Sequence, residues 1–347
     1  MKMQLGELAK LINGKLIGDD SVHITGVGDI ESAVSGQISF MKNNSYLKKA
    51  QKSKASALIV PTDTEGIKTP IIESVDPYHS FIKILDLISK EKMVFPPGVH
   101  KTVVSGKNAK LGIDISIAPY VVLSDDVFIG DQTVLGANCT VGNKVSIGKN
   151  CLIYPNVSIG DDTVIGNNVI IHSGTVIGSD GCGFIPYEGG LKKVPQIGSV
   201  IIEDDVEIGS NCTIDRATMN VTKICKGVKF DNQVHIAHNV IIGDYSIILA
   251  HCTIAGSTKI GKHCIFSGQV GAVDNITIGD NVIVGEKAAV TKNITDNSVL
   301  WGNPAQAMND EKKVIVLSRK LPEMYAEIKK LNEKIIELES GLEKQSG

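Results

Sequence analysis

The sequence predicts a mainly β protein built on a parallel β-helix, with a small α/β domain before it and a helical extension after it. Three observations predict this. From Leu111 an aliphatic residue recurs at every sixth position, through Ile117, Leu123, Ile129, Leu135, Val141, Ile147, Ile153, Ile159, Ile165, Ile171 and Ile177. Residues 1–97 lack that period, and residues 309–347 replace it with spacings of three and four, which leaves 98–308 for the repeat. Composition agrees: aromatics are only 4% of the chain while glycine numbers 35, as a narrow aliphatic core with many tight turns requires.

The N-terminal segment reads as α/β. Leu5, Leu8, Leu11 and Ile12 fit one face of a helix at about 5–13, and a second helical pattern covers about 77–90. Between them, Ala57–Val60 and Pro70–Ile72 read as strands, and Pro96, Pro97 and Gly98 mark a boundary.

Period six fits neither a 3.6-residue helix nor an isolated strand, but it fits a short strand plus a tight turn repeated on a triangular coil. The aliphatic residue points inward. The residue two before it (Val127, Thr133, Cys139, Val145, Cys151, Val157) shares that face because strand side chains alternate. Glycines such as Gly130, Gly136, Gly142 and Gly148 are expected to permit the corners. No coil can bury its apolar face alone, so the coils must stack.

The period breaks after Ile177, and the glycine- and proline-rich stretch 179–199 reads as a loop leaving the prism, either functional or a tolerated insertion. It returns at Ile202, Ile208 and Ile214 and slips through 216–229. From Phe230 it runs on to Val290, with Phe266 and Ala272 as size exceptions. Beyond 310, Leu321, Met324, Ile328, Leu331, Ile335, Leu338 and Leu342 form a heptad seam. Such a helix either meets partner helices or packs on its own prism.

Several classes are excluded. The formal charge of −3 gives no basic field for nucleic acid. No stretch approaches the roughly 18 apolar residues of a membrane span. Glu7, Lys10 and Lys15 interrupt the N-terminal apolar residues, so a cleaved signal peptide is not expected and the cytoplasm follows as the location. None of the seven cysteines forms a CxxC pair; Cys139, Cys151, Cys212, Cys252 and Cys264 occupy the small inward position and read as buried hydrophobes.

The chemistry concentrates in FDNQVHIAHNVIIGD, residues 230–244, where His235 and His238 follow Asp231 and Asn232. Imidazole suits proton transfer near neutral pH. Three residues apart on an extended strand, the two histidines are expected on opposite faces, so only one serves a site and no shared metal is expected. His100, His172, His251 and His263 read as turn or surface residues.

Hexapeptide repeats of this form resemble the left-handed β-helix acyltransferases. The handedness is implied by that resemblance, since parallel crossovers in general favour the right hand. The IAHN motif, IAGSTKIG (254–261), VIGSDGCGF, PQIG and IDRATM (214–219) together resemble the UDP-3-O-(3-hydroxyacyl)glucosamine N-acyltransferases of lipid A synthesis, over nearly the whole chain. The resemblance implies a homotrimer with no permanently bound cofactor, taking its acyl group from the 4'-phosphopantetheine of acyl-carrier protein and its acceptor as UDP-3-O-acylglucosamine. By that resemblance, His238 matches the catalytic base and Gly256 the glycine whose N–H faces the oxyanion. Phe40 and Tyr46, with Asn43 between them, match the uracil site, and Asp231, Asn232 and Asn275 fall among the substrate contacts. The plainer reading of the same residues is Phe40 as core and Tyr46 as surface.

Three departures stand out. Relatives usually carry Gly-His where this chain has Asp274-Asn275, and Asn275 cannot carry a proton or a charge. Cys182 replaces a usual phenylalanine, and Ala289 stands where a bulky residue can limit acyl length. Lys287, Lys292, Lys312, Lys313, Arg319 and Lys320 form either a basic patch for an acidic carrier or part of a mixed-charge face. Alternatives remain: a paralogous sugar-nucleotide acyltransferase with another acceptor, a β-helix carbonic anhydrase that lacks a third histidine ligand, and a non-catalytic trimer.

Overall fold

A computed structural model describes residues 2–92, 96–302 and 305–343, and the chain divides into two compact units, 1–96 and 97–347. In the first unit a five-stranded sheet runs in the order Lys15–Ile17, Ile71–Ser74, Ala57–Pro61, Gln37–Phe40, Gly26–Val27. All neighbours are parallel except Lys15–Ile17 with Ile71–Ser74. The apolar run Ala57–Val60 is buried on both faces, as a central parallel strand requires. Ala57 and Ile59 pack with Leu5, Leu8, Phe81 and Ile84 of the helices Leu5–Leu11 and Pro77–Lys92, while Leu58 and Val60 face Met41 and Ala50. Asp76 caps the second helix by accepting from the His79 N–H at 3.0 Å, and Pro77 occupies the first turn, where its missing N–H costs nothing.

The second unit is a parallel β-helix whose three faces hold 9, 11 and 10 strands among the described residues. Most rungs are two residues long and pair with the rung 18 residues on, as in Ile129↔Ile147↔Ile165, while the inserted stretches widen the offset, as in Ile165↔Ile202. Backbone hydrogen bonds stitch the coils: Phe128 N donates to Val145 O at 2.9 Å and Gly130 N to Ile147 O at 2.8 Å. The aliphatic column forms one continuous core, and each such side chain contributes about 1.5–3 kcal/mol relative to exposure. The five core cysteines lie within it as free thiols, and burial pushes each of them up.

The corners differ from expectation in one respect. Positive φ falls two residues after the glycine, on Gln132 (57°), Asn138 (61°), Lys144 (56°) and Asn150 (55°), and not on the glycine itself. Asn and Asp predominate there because they tolerate the left-handed region. The glycine answers a different need, close approach: a Cβ on Gly130 would lie 2.6 Å from the Gly148 carbonyl carbon of the next coil. The residue after the glycine has its N–H capped by an Asp or Asn of that next coil, as in Lys107 to Asp125 (2.7 Å), Asn143 to Asp161 (2.7 Å) and Lys262 to Asp280 (2.7 Å).

The ejected stretch is more ordered than a loop. The strand Val176–Asp180 pairs through a bulge with Thr213–Arg216, and Phe184–Tyr187 with Gly190–Lys193 then form an exposed antiparallel hairpin. The helix Met308–Glu343 bears its seam in the open: Leu321, Met324, Ile328, Leu331, Ile335 and Leu338 are all exposed, so packing on its own prism is not what is observed. The side chain of Leu342 lies outside the described residues. Among the described residues no helix is long and apolar enough to cross a membrane.

Candidate active site

The strand His235–Ile236 ends two residues before His238, so strand alternation does not carry that far. His238 sits in the following corner, and both histidines are half-exposed on the outside of the prism, which overturns the expectation of opposite faces.

The His238 ring occupies a slot between two backbone segments that lack side chains. A Cβ on Gly181 would lie 2.8 Å from His238 Cβ and Cδ2, and a Cβ on Gly256 would lie 2.7 Å from Cε1 and 2.8 Å from Nε2. Its Nδ1 is 3.2 Å from Asn239 Oδ1. That oxygen also accepts from the Thr218 N–H at 3.1 Å, while Asn239 Nδ2 donates to Met219 O at 2.9 Å. The amide is therefore oriented by backbone on both sides, and the atom it offers His238 is an acceptor. Nδ1 must carry the hydrogen, which leaves Nε2 with a lone pair toward Gly256.

Among the described residues the Gly256 N–H has no protein acceptor, although Asn275 N donates to Gly256 O at 3.0 Å. The structure thus gathers His238, Gly256 and the Asp274–Asn275 pair at one corner of three successive coils. Asp231 and Asn232 lie at the preceding corner of His238's coil, exposed, and partly occupied by structural bonds: Asn232 Oδ1 accepts from Ser210 N at 2.7 Å and Asp231 Oδ1 from Asn232 N at 2.7 Å.

Sequence reasoning missed Asp215. Its carboxylate is buried, accepts from Ser179 Oγ at 2.8 Å and lies 3.8 Å from His235 Nε2. Desolvation pushes the Asp215 carboxyl up, against the Ser179 bond and the charges of His235 and His238, and with some help from Asp180. His235 Nδ1 is also 2.7 Å from Thr213 Oγ1. The signal was present in IDRATM, but only the bulge between Ile177 and Ser179 brings Ser179 opposite Asp215.

In the N-terminal unit, Phe40 stacks on Phe81 (4.7 Å, 29°) and lies 5.6 Å from the Tyr78 ring. Tyr46 is exposed with Lys49 Nζ at 5.7 Å from its ring centroid. Asn43 Oδ1 accepts from Ser45 N at 3.1 Å and from Ser45 Oγ. Of the remaining histidines, His172 stacks on Tyr154 at 4.8 Å and His263 on Tyr245 at 5.5 Å, both ladders between neighbouring coils. Among the described residues, one group brings metal-ligating atoms together, Glu203, Cys225 and Asp244, and lysines already neutralise its carboxylates: Lys223–Glu203 at 2.7 Å and Lys262–Asp244 at 2.9 Å.

Residues 21–87 match the family model of UDP-3-O-(3-hydroxymyristoyl) glucosamine N-acyltransferase, LpxD, and residues 144–179 and 222–256 match bacterial transferase hexapeptide repeats. The chain is 42% identical to the UDP-3-O-acylglucosamine N-acyltransferase of Methylacidiphilum infernorum, over 94% of each chain. It is 44% identical to the Syntrophotalea carbinolica protein of the same name, over 96% of this chain and 97% of that one. Among solved structures, it is similar to UDP-N-acetylglucosamine O-acyltransferase from Moraxella catarrhalis at 24% identity and a TM-score of 0.48, covering 68% of this chain and 91% of that one. With identity of the first two kinds spread over nearly the full length of both partners, the chain belongs to the UDP-3-O-acylglucosamine N-acyltransferase family.

Proposed function

We propose that the protein moves a 3-hydroxyacyl chain from the 4'-phosphopantetheine thioester of acyl-carrier protein to the 2-amine of UDP-3-O-acylglucosamine, in the cytoplasm and as a homotrimer. One observation carries the reading: an imidazole with a defined free nitrogen packs against a glycine of the next coil whose backbone N–H, among the described residues, has no protein acceptor.

The chemistry follows from that pairing. As the sugar amine attacks the thioester carbon, His238 Nε2 takes the proton the nitrogen must lose, and the carbonyl oxygen gains negative charge. The Gly256 N–H donates to that oxygen, a contribution worth about 2.7–4 kcal/mol for one preorganised donor. Collapse breaks the C–S bond, and the leaving thiolate takes the proton back from His238. Holding both substrates together accounts for much of the remaining acceleration, since an amine is already a competent nucleophile.

Past this corner the outward positions on the same face are Thr253, Gly271 and Ala289, and nothing lies within 4 Å of where a Gly271 Cβ would be. That bare strip favours a long acyl chain. Uracil is assigned to Tyr46 and to Asn43 Nδ2, with Phe40 backing the site from its stack on Phe81. Asp231 and Asn232 are assigned to the sugar through the atoms their structural bonds leave over. The exposed heptad seam supports trimer formation, and the free core thiols suit a reducing compartment. The exposed Lys287 and Lys292 are offered to the carrier.

The test is acyl transfer read by product mass. UDP-3-O-acylglucosamine should gain one 3-hydroxyacyl group, and the same sugar with its 2-amine acetylated should gain none. Equal acylation of both would place the new bond on oxygen and overturn the assignment of the acceptor.

A further inference from the structure

Asp274 stands 18 residues after Gly256, the offset by which Asp161 caps Asn143 N–H and Asp280 caps Lys262 N–H. The coils are in the register such a cap needs, because Asn275 N already donates to Gly256 O at 3.0 Å. Yet Asp274 does not cap Gly256. Its Oδ2 accepts instead from Asn275 Nδ2 at 2.8 Å. Asn275 is itself in the left-handed region, φ 58°. Elsewhere an Asn at this corner position reaches to the next coil, as Asn138 does to Asn156 and Asn281 to Asn297. Asn275 turns back onto its neighbour.

A carboxylate on the Gly256 N–H would do harm twice. It would occupy the donor, and it would set a negative charge where the reaction builds another. We propose that Asn275 is a positioning residue that holds the Asp274 carboxylate off the Gly256 N–H and so keeps that donor open for reaction. This rests on reading Gly256 as the oxyanion donor. The pair Asp274–Asn275 then works as a unit: the asparagine is needed because the aspartate is there.

The experiment compares the full-length wild type, Asn275→Ala and Asp274→Ala/Asn275→Ala by kcat/KM and by amide hydrogen exchange at Gly256. In Asn275→Ala, exchange at Gly256 slows and kcat/KM falls about 10²- to 10³-fold, the range set by losing one such donor. In the double variant exchange is fast again and kcat rises well above that of Asn275→Ala, both variants lacking alike whatever substrate contact the Asn275 side chain supplies. A double variant as impaired as the single one, or Asn275→Ala with unchanged Gly256 exchange, overturns the proposal. Slowed exchange with full activity upholds the hold on Asp274 and overturns Gly256 as the donor.

Discussion

At the residue scale, one amide decides which nitrogen of His238 is free. Asn239 is held by the Thr218 N–H and the Met219 carbonyl, so its oxygen faces Nδ1 and the nitrogen left free is Nε2. His238 and Gly256 stood out as candidates in the sequence through the IAHN and IAGS motifs that carry the family resemblance. Asp215 was not, because its importance arises from a bulge that no period reveals. Asp215 also shows a conflict between stability and use. Burial pushes its carboxyl up, so its contribution is favourable at acid pH, where it is neutral, and is lost as pH rises through the range where it ionises. Asp215→Asn should therefore melt no lower than the wild type at pH 8, and higher relative to it at pH 8 than at pH 4. Turnover should nevertheless fall, because the charge near His235 and His238 is gone. A variant that melts lower at pH 8 than at pH 4, relative to wild type, would show that the carboxylate is not a buried liability.

At the element scale, the period of six made the prism readable down to its inward column, because burying one face forces the same residue class at every turn. The corner glycines were assigned the wrong duty. Their need is room for the next coil's backbone, a contact between residues 18 apart that local turn chemistry does not show. The hairpin of Phe184–Tyr187 and Gly190–Lys193 likewise hid behind a loop-like composition, since its strands pair with each other and not with the prism. The C-terminal helix was legible from its heptads, and its seam is exposed, as the proposed association through it needs. Ile328→Glu/Ile335→Glu should weaken self-association by at least about tenfold and reduce the helical signal at 222 nm, given that apolar seam positions carry coiled-coil stability. Sedimentation equilibrium checks it, and unchanged association would remove the helix from the oligomer interface.

At the scale of the whole molecule, a long solenoid positions chemistry by stacking. His238, Gly256 and Asn275 lie 18 to 19 residues apart in sequence, yet the coils bring them to one corner without any loop having to fold back. The residues of the proposed sites are divided, with the Phe40–Phe81 stack in the unit of residues 1–96 and His238 and Gly256 in the unit of residues 97–347. That division was visible in the sequence as a loss of period, while the bonding of each site residue was not, because it depends on side chains meeting across coils. The central claim is that His238 acts as the base at this corner. The direct measurement is single-turnover acyl transfer from 3-hydroxyacyl-carrier protein by wild type and His238→Ala, with binding of the UDP-sugar followed separately. The account predicts a rate loss of about 10²- to 10⁴-fold, the range for removing a general base, with UDP-sugar affinity retained. A variant that transfers the acyl chain at close to the wild-type rate would contradict it.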